Sequence, residues 1–400
     1  MPASGGSGNR HVRKYMVRDA RVAVVVMGDI ARSPRMLNHA RELAANDFAP
    51  VLIGYQINSK SGREFEPPAG VRVAALDGGR SAPRERSGLL FAITAGLRMS
   101  RLFFALLGTL LKEKPDAILV QNPPSFPTLL AATLAGNWLR VKVIVDWHNY
   151  GFSLLALRLG DRHWLVRLAR WYEFRAGRSA GAHLCVSDAM RADLLRYGIS
   201  AEVLYDRPLT LRAHTSDTSR IIAVCPAGWT ADEDIELLLA ALQLLRDSEL
   251  TVYITGEGMK RKELEPELQA LRASGLLVDT GFLPEDDYWS LISRADLGLS
   301  LHRSSSGLDL AMKVVDLFSA SVPVCALDYG GSISEQIKDG VTGFLFHTAH
   351  DLAHLLTRLA AAPDTLTPMR CAIGDRWTAS WHNEWKRVAL PKLPAFGVKS

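Results

Sequence analysis

Short runs of β-branched and aliphatic residues alternate along the chain with longer stretches of helical periodicity. In the first half such runs occur at residues 22–27, 51–53, 117–120, 141–145 and 183–186. The pattern restarts in the second half, at residues 221–224, 252–255, 297–301 and 322–326. This alternation is typical of parallel sheets covered by helices. It predicts an α/β protein with two Rossmann-like domains.

A polar segment separates the two halves of the pattern. Pro208, two threonine-rich stretches and Asp217 interrupt the periodicity between residues 207 and 220, and 400 residues exceed what one hydrophobic core usually serves. The predicted organisation is a flexible segment at 1–20, a first domain at 21–208, a linker at 209–220, a second domain at 221–380 and a tail at 381–400 that can cross back to the first domain.

Residues 88–111 form an apolar stretch that is interrupted by Arg98 and Arg101. The two arginines share a helical face, and both would be costly inside a helix that spans a bilayer. Four basic residues flank the stretch, namely Arg84, Arg86, Lys112 and Lys114. Two interpretations are open: an amphipathic helix in the plane of a membrane surface, or an ordinary helix buried against the first sheet.

Composition and charge narrow the class of protein. Hydrophobic residues make up 48% and charged residues 22% of the chain, which excludes disorder, and the mean hydropathy of +0.04 is compatible with membrane contact. The four cysteines are too far apart for a zinc or redox motif, and residues 1–20 contain no apolar core of a signal peptide. No zinc or redox centre built on these cysteines is therefore expected.

The two halves differ in charge. Residues 1–208 carry 29 Lys+Arg against 17 Asp+Glu, whereas the remainder carries 18 against 25. A basic half suits anionic partners such as phosphates or acidic lipid head groups, and a solvated basic surface explains the charge equally well. The chain has no zinc-finger spacing or aromatic-basic RNA-binding signature, so nucleic acid is not an expected partner.

Two strand ends in the first half carry candidate chemistry. The first strand runs into Gly28 and a helix start, where Arg32 and Arg35 could hold a phosphate, although many strand-to-helix turns look similar. The strand at 141–145 ends in Asp-Trp-His-Asn-Tyr-Gly at 146–151, at the edge where open α/β sheets bind ligands.

A hydroxyl group that attacks another atom must lose its proton, and either Asp146 or His148 could accept it. Asn149 and Tyr150 lie beside them and are candidates for contacts to the same ligand. In the second half, the strand at 221–224 is followed by Trp229 and Thr230, which are candidate donor-binding residues, and then by acidic residues at 232–234 that also suit a helix N-terminus. 

Gly256 and Glu257 follow the next strand, where glycine would let the backbone approach a nucleotide diphosphate. Residues 302–316 run from a strand end through a serine-rich loop into a helix. The candidate donor-binding residues of this segment are His302, Ser304, Ser305, Ser306, Gly307, Asp309, Lys313 and Asp316. Asp309 and Asp316 are predicted to lie on one helical face, with Asp316 placed to accept the hydroxyls of a ribose.

At these residues the chain resembles the chitobiosyldiphosphodolichol β-mannosyltransferases, which add the first mannose to the N-glycan precursor. The resemblance covers nearly all of residues 20–392. It rests on six blocks: 28–29 with 32–36, 121–124, 146–151, 171–173, 229–230 with 232–234, and 304–316.

The resemblance implies a GT-B fold, in which two Rossmann-like domains face each other across a cleft. It also implies inversion at the anomeric carbon without a bound metal, with GDP-mannose on the second domain and a lipid-linked acceptor on the first. Donor binding carries over to Gly256, Glu257, Ser305, Ser306, Gly307, Lys313 and Asp316, and acceptor-side chemistry to Arg32, Asp146 and His148.

Eukaryotic members of the family usually begin with a transmembrane anchor, which residues 1–20 lack. We therefore expect peripheral attachment to the cytosolic face of a membrane, the endoplasmic reticulum in a eukaryote or the inner membrane in a bacterium. Expected partners are the nucleotide sugar, a dolichyl or polyprenyl diphosphate acceptor, the membrane surface and other transferases of the pathway. The alternatives are a bacterial transferase of another sugar specificity, a nucleotide-sugar epimerase and a non-catalytic nucleotide-sugar-binding subunit.

Overall fold

The computed structural model describes residues 20–56, 65–76, 89–215, 220–245, 250–274, 277–377 and 379–394. Several predicted features lie outside the described residues: the N-terminal segment up to residue 19, the flanking Arg84 and Arg86, residues 216–219 of the linker and residues 395–400 of the tail.

A parallel sheet forms the centre of the first domain. Its strands are β1 (Arg21–Asp29), β2 (Ala49–Tyr55), β3 (Arg72–Ala75), β4 (Ala117–Asn122), β5 (Lys142–Trp147), β6 (Ala182–Cys185) and β7 (Glu202–Val203). They are ordered β3-β2-β1-β4-β5-β6-β7. The sequence pattern missed β3 and β7 because these edge strands are short and incompletely buried. All carboxyl ends lie at one edge because the pairing is parallel.

A second parallel sheet forms the centre of the second domain. Its strands are β8 (Ile221–Pro226), β9 (Leu250–Thr255), β10 (Leu277–Gly281), β11 (Leu297–Ser300), β12 (Val324–Leu327) and β13 (Gly343–Phe346). They are ordered β10-β9-β8-β11-β12-β13. Strands β8 and β11, adjacent at the centre, are buried along their whole length, as expected for aliphatic runs covered on both faces.

Helices cover both sheets. They are α1 (Pro34–Ala45), α2 (Leu89–Glu113), α3 (Thr128–Leu139), α4 (Gly151–Leu159), α5 (Trp164–Gly177), α6 (Asp188–Arg196), α7 (Ile235–Gln243), α8 (Met259–Glu263), α9 (Glu265–Ala273), α10 (Glu285–Arg294), α11 (Met312–Ser319), α12 (Ile333–Gln336), α13 (Ala349–Ala361), α14 (Leu366–Arg376) and α15 (Trp381–Val388). None of these helices, within the described residues, has the length and apolar character required to span a bilayer.

Helix α2 contains the apolar stretch for which the sequence left two interpretations. Its second half contributes Leu106 and Leu110 to the core of the first domain, where both are fully buried. Leu97 and Phe104 on the same helix are more than half exposed. The helix therefore packs against its own domain and still presents apolar side chains outward.

The last helix, α15, lies on the first domain rather than on the second. Trp381, Trp385 and Val388 join the core that contains β1 and α1, and all three are almost completely buried. The chain thus returns to the first domain after completing the second.

Candidate active site between the two sheets

Asp146, at the end of β5, is the centre of a buried ion network. Arg35 binds this carboxylate through two nitrogens, with Nε 2.8 Å from Oδ2 and Nη2 2.9 Å from Oδ1. Oδ2 also lies 3.1 Å from His39 Nε2 and 2.8 Å from His148 Nε2. Burial alone would raise the pKa of Asp146, but the Arg35 charge and the two histidines hold it well below its usual range.

In this network His148 is better placed than Asp146 to serve as the candidate base. Asp146 has no exposed surface, and both of its oxygens accept hydrogen bonds from protein groups. An ionised carboxylate can only accept, so His148 must donate its Nε2–H, and a neutral ring then carries a bare Nδ1. The His148 side chain is 20% exposed, which lets that nitrogen meet a ligand. Asp146 therefore positions His148 rather than taking the proton itself.

Hydrogen bonds also connect the network with α15. The indole nitrogen of Trp385 lies 2.9 Å from Nδ1 of His39. Because an indole nitrogen can only donate, Nδ1 of His39 accepts, and its ring proton lies on Nε2, where Asp146 accepts it. Burial lowers the pKa of His39, which favours this neutral form. The C-terminal helix thereby fixes the tautomer of a histidine that shares its carboxylate partner with His148.

The two arginines that were predicted to hold a phosphate differ in their surroundings. Arg35 is 3% exposed and bonds the Leu204 carbonyl and Asp206 in addition to Asp146. Its predicted phosphate contact is wrong, because the guanidinium is fully used as a buried counter-charge. Arg32 is exposed on the short 3-10 turn after β1, and Gly28 is half-buried with open space beside its Cα. Arg32 therefore remains the candidate for an anionic ligand.

Tyr150 and Asn149 point in different directions. Tyr150 is 2% exposed, packs against aromatic core residues and donates its hydroxyl to Asp193 at 2.9 Å. Its predicted contact with the acceptor is wrong, because the ring closes the core instead. Asn149 faces the second domain. Its Nδ2 lies 3.2 Å from the Ser305 hydroxyl.

Ser305 of the second domain contacts the first domain at two residues, one of which is Asn149. Its hydroxyl also lies 2.8 Å from the hydroxyl of Ser153 on α4. A further contact between the domains is donated by Ser187 to the carbonyl of Leu308 at 2.5 Å. The serine-rich loop after β11 and the polar cluster after β5 therefore meet across the cleft. This is the arrangement that the GT-B resemblance implies.

Asp309 holds the serine-rich loop in place. It accepts hydrogen bonds from His302 Nε2, at 2.9 Å, and from the Ser304 hydroxyl, whose oxygen accepts the Gly307 N–H at 2.8 Å. Burial works to lower the pKa of His302, but its hydrogen bond to Asp309 and the nearby carboxylates raise it overall. Ser306 accepts the N–H of Leu308. Within the described residues, no group of three acidic, histidine or cysteine side chains is placed to hold a metal ion.

Helix α11 begins at Met312, later than predicted. Asp309 therefore lies in the loop and does not share a helical face with Asp316, because its carboxylate is used to organise the loop. Lys313 is exposed in the first turn, and its Nζ lies 5.8 Å from the centre of the Tyr288 ring. Asp316 accepts the Tyr288 hydroxyl at 2.8 Å, and burial raises the pKa of Asp316.

The loops after β8 and β9 pack directly on each other. Gly256 has a φ of +91°, and a Cβ there would lie 1.8 Å from the Ala227 carbonyl oxygen, so this position requires glycine. Trp229 is 1% exposed beneath the loops and donates its indole N–H to the Thr255 carbonyl at 3.1 Å. The predicted donor contact of Trp229 is wrong, because the ring supports the loop from below.

The acidic residues after β8 act locally. Glu233 accepts the Gly228 N–H at 2.7 Å, and Asp234 caps the N-terminus of α7. The Asp234 contact fits the helix-start interpretation that the sequence left open, whereas Glu233 stabilises the loop itself. Thr230 and Glu257 are exposed on the outer side of these loops, where a ligand can reach them.

An open pocket of about 480 Å³ lies at the ends of β9 and β10. Phe282 and Leu283 supply apolar surface, and Asp287 and Arg294 on α10 supply polar groups. The same helix carries Tyr288, the partner of Asp316. The pocket and Asp316 are therefore connected through one helix.

Several residues that shape the site were not singled out from the sequence. Glu173 is buried and accepts the N–H groups of Gly151 and Phe152 at the start of α4. Glu335 of the second domain accepts the N–H groups of Asp188 and Ala189 at the start of α6. Glu173 falls in the 171–173 block, which was a usable signal, whereas a helix cap donated from another domain leaves none.

Two family models match the chain. The model described as a glycosyl transferase 4-like domain matches residues 32–205, and the model described as glycosyl transferases group 1 matches residues 219–362. The first match falls on the first sheet and its helices, and the second falls on the second sheet.

Individual proteins match over nearly the whole chain. The chitobiosyldiphosphodolichol β-mannosyltransferase of Mus musculus is 32% identical over 94% of the chain and 89% of its own length. The UDP-glycosyltransferase TURAN of Arabidopsis thaliana is 32% identical over 94% of the chain and 98% of its own length. The solved sucrose-phosphate synthase of Thermosynechococcus elongatus has a TM-score of 0.71 at 16% identity, over 94% of the chain and 97% of its own. The structural likeness shows a two-domain GT-B fold.

Proposed function

The chain belongs to the chitobiosyldiphosphodolichol β-mannosyltransferase family and is a glycosyltransferase, and we propose that it moves mannose from GDP-mannose to a GlcNAc-terminated lipid pyrophosphate with inversion at the anomeric carbon. One observation carries the mechanism: His148, oriented by Asp146, lies beside Asn149, whose amide bonds Ser305 of the facing loop. A base and an anion-binding loop thus meet at one cleft.

The proposed step is a single in-line displacement. Nδ1 of His148 accepts the proton of the acceptor hydroxyl while that oxygen forms a bond to the anomeric carbon of mannose. The bond between this carbon and the diphosphate oxygen breaks, and GDP leaves with the electron pair. Asp146 stabilises the imidazolium, so the positive charge develops next to a carboxylate that is already ionised.

The second domain supplies the groups that stabilise the leaving diphosphate. Hydroxyl and N–H groups of the loop at 304–307 can donate to the diphosphate, and Lys313 adds a positive charge at the start of α11. Asp316 can accept the ribose hydroxyls. The pocket beside Phe282 has room for a purine base, and α10 places it next to Asp316.

A donor screen tests the proposal directly. Purified protein is incubated with phytanyl-diphosphate chitobiose and either GDP-mannose or a UDP-linked sugar, and the product is analysed by mass spectrometry and digestion with β-mannosidase. We expect a β-mannosidase-sensitive product with GDP-mannose, and the same rate after EDTA treatment. UDP donors form an essential comparison because the Arabidopsis relative is named a UDP-glycosyltransferase.

Each other outcome corresponds to one alternative. A product from a UDP-linked sugar alone would replace the donor assignment. Isomerisation of the donor without acceptor would indicate an epimerase. Donor binding without turnover by the parent protein, unchanged in His148→Ala, would indicate a nucleotide-sugar-binding subunit.

The proposed place of action is the cytosolic face of a membrane, with peripheral attachment. The lipid-linked acceptor requires a membrane, and the basic first domain is suited to an acidic lipid surface. Fractionation of cells that express the full chain should recover it with membranes and release it at high salt. Recovery in the soluble fraction at low salt would contradict this placement.

A further inference from the structure

Large apolar side chains are exposed along one face of the first domain. On α3, Leu130, Leu134 and Trp138 recur at intervals of four residues and therefore form one stripe on the helix. Trp138 is 80% exposed. The opposite side of α3, which includes Leu129 and Ala132, is buried in the domain core.

Helix α5 repeats this arrangement. Trp164, Leu168 and Trp171 fall at spacings of four and three residues, and each is at least half exposed. Helix α4 adds Leu154 and Leu157, spaced three residues apart and both exposed. The exposed tryptophan and leucine side chains of these stripes lie outside the domain core and do not contribute to its packing.

The stripes belong to one surface because their helices are neighbours. Helix α4 packs against α5, α5 against α3, and α3 against α2. Helix α2 extends the surface with the exposed Leu97 and Phe104. We call this surface, formed by the outward sides of α2 to α5, the apolar face. A continuous patch of this kind on a soluble domain marks an interaction site.

Basic side chains surround the apolar face. Residues 151–178, which comprise α4, α5 and their connections, contain six arginines and two acidic residues. One of the acidic residues, Glu173, is fully buried, which leaves Asp161 as the exposed acid in this segment. Arg158, Arg162 and Arg167 are exposed among the apolar residues. Apolar side chains fringed by arginine complement a bilayer that carries negative head groups.

We propose that the apolar face docks on an anionic phospholipid bilayer, with Trp138 and Trp171 inserted at the level of the head groups. Tryptophan suits this depth because its ring is apolar and its N–H is polar. Helix α4 begins at Gly151, directly after the cluster that contains His148. If the proposed function is correct, docking brings the end of a membrane-embedded acceptor to His148, whereas docking itself needs neither donor nor acceptor.

Sedimentation with vesicles of known composition tests the docking. The purified chain is mixed with vesicles of phosphatidylcholine, with or without phosphatidylglycerol, and the bound fraction is measured at low and high salt. We expect binding that requires phosphatidylglycerol and decreases with salt. The double variant Trp138→Asp/Trp171→Asp should bind at least tenfold more weakly, and Arg162→Glu/Arg167→Glu about tenfold more weakly.

Two matched variants control for general effects of surface charge. Leu244→Asp/Val341→Asp places the same two charges at exposed apolar residues of the second domain, and Lys262→Glu/Lys338→Glu reverses two exposed charges there. Both should bind vesicles like the parent. The tryptophan variant should keep its circular dichroism spectrum and its activity on a short-chain, water-soluble acceptor, and lose activity on an acceptor embedded in vesicles. This contrast separates docking from the proposed function, because the vesicle measurement remains valid if the chain proves to use another sugar.

Three results would overturn the proposal. The first is an absence of binding to vesicles of either composition. The second is equal loss of binding in Leu244→Asp/Val341→Asp and in the tryptophan variant. The third is a dimer of the parent chain that becomes monomeric in the tryptophan variant without vesicle binding by either protein, which would assign the apolar face to a second copy of the chain.

Discussion

The two sides of the cleft are held in opposite ways. On the first domain, His148 is oriented by a carboxylate that has no exposed surface and accepts hydrogen bonds on both oxygens. On the second domain, the serine-rich loop is held through Asp309 and contains Gly307 at a φ of +72°, and Lys313 beside it is exposed. We call the buried ion network around His148 the rigid side of the cleft. The exposed, hydroxyl-rich loop of the second domain is the open side.

This difference corresponds to what each side has to do. A base must hold one nitrogen within hydrogen-bond reach of one hydroxyl, so its orientation has to be settled before the substrate arrives. A leaving diphosphate gains charge during the reaction, and a loop of several donors that Asp309 already holds in place can stabilise that charge. Burying Arg35 with Asp146 costs desolvation energy, which a structural role alone does not require.

The largest effect is expected where the rigid side meets the substrate. His148→Gln keeps an N–H group for Asp146 and removes the nitrogen that accepts the proton, so kcat should fall by about 10²–10⁴-fold while the affinity for donor stays near that of the parent. Steady-state kinetics with GDP-mannose and calorimetric titration with GDP separate the two quantities. His354→Gln, at an exposed histidine of α13, is the control. A loss of less than tenfold would show that another group takes the proton.

The open side should respond in affinity rather than in turnover. Lys313→Ala removes a charge-assisted contact to the diphosphate, worth about 1.5 kcal/mol, and should raise the Kd for GDP about tenfold. Lys338→Ala removes an exposed lysine elsewhere on the second domain and should leave the Kd unchanged. If GDP binds Lys313→Ala as tightly as the parent, the loop does not act through this charge.

The family, the GT-B fold and the glycosyltransferase activity followed from the sequence and are confirmed by the relatives and the family models. Strand ends were the most informative feature, because the carboxyl ends of parallel strands converge wherever the helices lie. The GT-B resemblance then placed the segments that contain His148 and Ser305 on the two walls of one cleft, where Asn149 contacts Ser305. The pattern missed β3, β7, β10 and β13, of which β7, with Glu202 and Val203 alone, is too short to show a period.

The errors concern the direction of side chains. Tyr150 follows the cluster in sequence but turns into the core, and Arg35 is the second residue of α1 with its guanidinium buried. Spacing alone cannot distinguish an inward from an outward side chain at the end of an element. The contact of His39 with Trp385 joins residues from opposite ends of the chain, so no local pattern could predict it.

A smaller effect is expected from the tautomer contact on the rigid side. Trp385→Phe keeps the buried ring and removes the N–H that holds His39 in one tautomer, so His39 can withdraw its hydrogen bond from Asp146. We expect a few-fold lower kcat with an unchanged Kd for GDP, since Asp146 then loses one of the hydrogen bonds that hold it beside His148. Among the described residues, the Trp381 indole nitrogen on the same helix has no hydrogen-bond partner, and its ring packs against His39 and Arg35. Trp381→Phe retains an aromatic ring and should therefore lower kcat less than Trp385→Phe does, and equal losses in both variants would reduce α15 to packing alone.

The smallest effect is expected at Asp316 on the open side, where a substitution separates the contribution of the carboxylate to stability from its contribution to donor binding. Burial raises the pKa of Asp316, so the folded state binds its proton more tightly than the unfolded state does, and stability falls as pH rises from the ordinary carboxyl pKa through the raised one. Asp316→Asn retains an oxygen for the Tyr288 hydroxyl and removes the buried charge. Its Tm at neutral pH should rise by on the order of 1 °C, the gain should vanish below about pH 3.9, and GDP should bind more weakly.

Asp286→Asn, at an exposed position of α10, is the control. A lower Tm for Asp316→Asn at neutral pH would mean that the carboxylate stabilises the fold, and would remove the argument that it is kept for the donor.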